Sequence, residues 1–83
     1  MANKAPRHSS KQVYRIGDLM IDHLYRICSR DQTRTLIRLT RINSSIYYTE
    51  ENNPRSGSIS FAEVGIKSYP DGAWEQDKWL ERR

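Results

Sequence analysis

The chain has a single cysteine, Cys28. No disulfide can form within it, and a metal site built on clustered thiolates is excluded. Its four glycines, Gly17, Gly57, Gly65 and Gly72, are scattered, so no glycine-rich loop is available to cradle a phosphate. No apolar run approaches the length of a membrane helix. The first eleven residues, MANKAPRHSSK, lack the apolar stretch of a secretory signal. With one unpaired thiol and no such stretch, the expected setting is reducing and cytoplasmic. Histidine is equally sparse. His8 lies in the polar N-terminus, and His23 stands beside Asp22 and five residues before Cys28. Asp22, His23 and Cys28 would make three dissimilar, badly spaced ligands, and Cys28 lies in an apolar stretch with no orienting partner. The expectation is therefore a buried structural cysteine and no metal, cofactor or small-molecule substrate. Without a Ser-His-Asp set either, a binding module is expected rather than an enzyme.

Acid is the other thing in short supply, but only in one half. The first 48 residues hold nine Lys/Arg and three Asp/Glu, whereas the remaining 35 hold five and seven. From Arg26 to Arg41 the arginines Arg26, Arg30, Arg34, Arg38 and Arg41 share one acid, Asp31, with apolar residues threaded between them. Ten of the fourteen basic residues are arginine, whose planar fork pairs bidentately with phosphate or carboxylate and stacks on bases. A localised cationic field suits a phosphate backbone or an acidic protein surface.

Eight aromatics and a set of Ile, Leu and Val argue for a folded core. Residues 1–11 read as a flexible basic arm, 12–72 as one small domain and 73–83 as a C-terminal helical segment. Within the domain, Ser45–Thr49 is β-branched and aromatic, Ser58–Phe61 alternates, and a dense cluster of turn residues, 50–57, lies between them. A hairpin follows, with Ile46, Tyr48, Ile59 and Phe61 facing the core and Tyr47 facing away. Upstream, Thr35–Ile42 predicts a strand with Ile37 and Leu39 inward and Arg34, Leu36, Arg38 and Thr40 outward. Leu24–Cys28 predicts the strand before it, and Val64–Lys67 a last short one. The competing pattern is helical: Ile16, Met20, Leu24 and Ile27 fit one stripe, and Leu36, Leu39, Ile42 and Ile46 another. The fold class expected is mainly β, a small barrel or meander of about five short strands. The alternative is α+β with a helix at 18–29. In the final segment, acids early and arginines late suit a helix dipole.

Tyr14–Leu19, read as a strand with a Gly-Asp step and followed by the meander through Phe61, resembles the SH3-like small β-barrels of the KOW and Tudor kind over about 50 residues. The resemblance implies a binding role, since such families commonly bind nucleic acid, ribosomes, RNA polymerase or modified peptides.

Two functions follow as expectations. In the first, Arg26, Arg30, Arg34, Arg38 and Arg41 contact nucleic-acid phosphates and Tyr47 stacks on a base. In the second, the basic face meets an acidic groove of a larger protein, as a small inhibitor or adaptor would, with Trp74 and Trp79 as anchors.

Overall fold

The computed structural model describes residues 11–66 and 77–83. Five antiparallel strands form one sheet: β1 (Leu24–Ser29), β2 (Arg34–Ile42), β3 (Ile46–Glu50), β4 (Ser56–Ile59) and β5 (Lys78–Arg82). Their spatial order is β4-β3-β2-β1-β5. The first four make the expected meander. The sheet is open, however, so it is not the closed barrel of the SH3-like resemblance.

Short connections carry their own turn chemistry. Between β1 and β2, Asp31 Oδ1 accepts from Thr33 N at 3.0 Å and Gln32 takes a left-handed φ of 77°, an Asp-led turn. Asn43 N donates to Ser45 O at 2.9 Å between β2 and β3, and Glu50 N to Arg55 O at 2.8 Å across the next loop.

Alternation places the core. Tyr25 and Ile27 of β1, Ile37 and Leu39 of β2, Ile46 of β3, Ile59 of β4 and Leu80 of β5 are buried on one face. Two segments cover that face with Val13, Leu19, Val64 and Ile66. The first holds a 3-10 turn at Ile16–Asp18 and is tied down by the buried Tyr25 hydroxyl, which accepts from Met20 N at 2.8 Å. The second turns through Ala62–Val64 and reverses at Gly65, whose φ of 66° is left-handed, a conformation that costs glycine little. Ile66 N then donates to Phe61 O at 2.9 Å, which turns Val64 and Ile66 inward. Tyr48 and Phe61 pack half-buried against the cluster, as the hairpin register predicted.

Five sequence readings are corrected here, the first of them the helical alternative. The helix at 18–29 is absent: Asp22 has φ 72°, Met20 is 55% exposed, and Leu24–Ser29 is strand β1. Tyr14–Leu19 is not a strand, because the Gly-Asp step sits in the 3-10 turn. Residues 64–66 follow a turn rather than forming a strand, with Lys67 outside the described residues. The C-terminal segment is not helical over 77–83. Leu80 is fully buried opposite Ile27, and β1 needed a second neighbour. A short helix is unstable alone, whereas a strand here fills a ladder. β4 also begins two residues earlier than the predicted Ser58–Phe61. Residues 1–10 of the expected arm and 73–76 of the expected helix lie outside the described residues.

Candidate functional site

The second face of the sheet carries the arginines. In β1, Leu24, Arg26 and Cys28 oppose Arg38, Leu36 and Arg34 of β2, so Arg26, Arg34 and Arg38 share the face away from the core. Strict alternation would put Arg41 on the core side. A bulge prevents it: Leu39 pairs with Tyr48, but Arg41 pairs with Tyr47, leaving Thr40 as the extra residue. Beyond the bulge Ile42 turns inward opposite Ile46, and Arg41 stands outward beside Tyr47. Its guanidinium carbon lies 4.6 Å from the Tyr47 ring centroid, a cation–π contact. Arg30 sits at the β1–β2 turn, off the face, where its backbone N donates to Asp77 O at 2.9 Å and its side chain lies 3.8 Å from Asp77 Oδ1.

The four facing arginines do not stand alike. Arg38 is held at its Nε by Glu51 Oε2 at 3.1 Å. Its Nη1 donates to Asp22 O at 2.9 Å, with Asp22 Oδ1 3.9 Å away. Arg26 lies across the ladder from Glu81. Arg34 and Arg41 are exposed, and no ion pair to either is found among the described residues. Glu51 and Asp22, the partners of Arg38, are what sequence reading missed. Glu51 was visible only as a turn residue, and its place opposite Leu36, where its N donates to Leu36 O at 3.0 Å, follows from the hairpin register.

Next to Arg41 and Tyr47 lies a groove of about 390 Å³ lined by Thr40, Arg41, Tyr47, Tyr48, Ser56 and Gly57. Tyr48 and Gly57 are directly paired. A Cβ at Gly57 would come within 2.7 Å of the Tyr48 ring, so glycine lets that ring lie across β4.

The other end of the face is closed. Cys28 and Trp79, paired across β1 and β5, are both buried, yet neither belongs to the main core. Trp79 Nε1 donates to Glu81 Oε2 at 2.8 Å. Trp79 is thus docked on its own domain, which leaves little of its ring for a partner. Trp74 lies outside the described residues. Burial foremost, then the charge of Glu81, pushes the Cys28 thiol above its ordinary range, with Arg34 and Arg26 opposing. The folded chain therefore keeps the thiol proton more firmly than the unfolded chain does. This contribution to stability is complete below the ordinary thiol value of about 8.5 and declines as pH rises through it. A soluble disulfide reagent at pH 8 is expected to modify Cys28 slowly in the native chain and promptly in denaturant. Equal rates would contradict the burial.

Among the described residues no helix is long and apolar enough to cross a membrane. Comparison with protein-family models, curated proteins and solved structures finds no match.

Proposed function

We propose that this chain is a small binding module whose outer sheet face contacts nucleic acid. Arg34 and Arg41 are the principal phosphate contacts, and Arg26 and Arg38 are supporting ones. The observation that carries the reading is the bulge at Thr40, which puts Arg41 and Tyr47 on the same side as Arg26, Arg34 and Arg38. Phosphate contacts dominate such affinities and are sequence-independent. An acidic protein partner is less well supported, because Trp79, one of its two expected anchors, is buried. Arg38 contributes less than its position suggests, since a phosphate must compete with Glu51 for it.

Salt dependence tests the reading. Log affinity for a labelled oligonucleotide should fall linearly with log salt. Replacing both Arg34 and Arg41 by alanine should reduce the magnitude of that slope by about 1.4 on a single strand, or about 1.8 on a duplex. Glu51→Gln should act the other way by releasing Arg38. A slope untouched by the double substitution would make these arginines bystanders, and absence of binding at low salt would end the proposal.

A further inference from the structure

We infer that the groove beside Arg41 and Tyr47 is a seat for one unpaired nucleobase, which makes the ligand single-stranded. This rests on the nucleic-acid reading above and adds to it what the phosphate contacts cannot give, a place for a base.

The chemistry of the lining points there. The rest of the outer face mixes charges: Arg38 is held by Glu51, and Arg26 stands opposite Glu81. The groove lining is Thr40, Arg41, Tyr47, Tyr48, Ser56 and Gly57, with no carboxylate among them. It offers the Tyr47 ring and the Arg41 guanidinium, surfaces on which bases stack. The hydroxyls of Thr40 and Ser56 both donate and accept, which suits the polar edge of a base. Its volume of about 390 Å³ leaves ample room for a single flat ring system.

A backbone device builds the site. The bulge turns Arg41 out over Tyr47, at 4.6 Å from its centroid. Bases of a duplex are stacked on one another and offer no free ring face, so a seat of this kind accepts only a splayed base. Arg34 lies on the same face, further along β2, and would hold the strand by a phosphate while the base is seated.

The test uses the full chain and three labelled probes measured by fluorescence anisotropy: a single-stranded oligonucleotide, an abasic strand with the same number of phosphates, and a duplex. The intact strand should bind about tenfold tighter than the abasic one, the scale of one base–aromatic stack, and tighter than the duplex. Tyr47→Ala should abolish that preference, while Tyr47→Phe should retain it. Because Tyr47 faces away from the core, both variants should keep the parent melting temperature. Equal affinity for intact and abasic strands overturns the base seat while sparing the phosphate reading. No binding of any probe overturns both.

Discussion

Removal of residues 77–83 is expected to leave the chain unfolded. β5 looks dispensable in sequence, a polar tail with two apolar residues. In the fold it supplies Leu80, fully buried against the core, and Trp79, 9% exposed on the opposite face. It pairs with β1 along its whole length. It also fastens the N-terminal cover, since Val13 N donates to Leu80 O at 2.9 Å and Arg82 N to Lys11 O at 2.8 Å. Truncating a buried leucine alone costs about 2–5 kcal/mol and a buried tryptophan about 3–5. Small domains have about 5–15 kcal/mol in total, so the loss of both, with Val13 left uncovered, is comparable to the whole. Circular dichroism and urea titration of the truncated chain should show no cooperative transition. A transition with the parent midpoint would contradict the pairing of β5 with β1.

Leu39→Ala should be the most damaging single truncation on β2. Leu39 is fully buried in the central strand, between β1 and β3. It faces Tyr48 of β3 on one side and is hydrogen-bonded to His23 and Asp22 on the other, so the site has little freedom to collapse, and the cost should lie toward the upper part of the 2–5 kcal/mol range. Arg34→Ala, five residues away on the exposed face, should change stability by no more than about 0.5 kcal/mol. The urea midpoint should fall steeply for the first variant and hardly move for the second, with the slope of the transition unchanged in both. Similar midpoints would mean that the two faces of β2 had been assigned wrongly.

The meander was legible because its strands obey a period of two over short stretches. Ile37 and Leu39, Ile46 and Tyr48, and Ile59 each face inward as their alternation predicts. Two kinds of residue escaped. The first kind lies at irregularities. Leu39 and Ile42 are three apart and both face inward only because Thr40 is absorbed in a bulge, and that spacing is what imitated a helical stripe through Leu36, Leu39, Ile42 and Ile46. The second kind depends on long-range partners. Nothing local marks Lys78–Arg82 as a strand, because its partner, β1, is about fifty residues earlier, and acids before arginines look the same in a helix as in a ladder. The candidate site was half legible for the same reason. Arg34 and Arg38 share a face by period alone, but the bulge that brings Arg41 over Tyr47, and the carboxylates that occupy Arg38, are visible only once the strands are in register.

The two margins of the sheet are dressed differently, and this sets how copies of the chain can join. The outer side of β5 is occupied by the 11–13 segment, through the Gln12–Glu81 bridge and its flanking hydrogen bonds. Among the described residues β4 has one strand neighbour, β3, and its sequence, Ser-Gly-Ser-Ile, carries neither lysine nor proline to repel another strand. A molecule with two bare margins propagates head to tail into fibres. One with a single bare margin has only a like-to-like contact available, related by a two-fold axis. Among the described residues β4 is thus the margin open to strand pairing, and two copies joined there would form one sheet of ten strands with their arginine faces side by side.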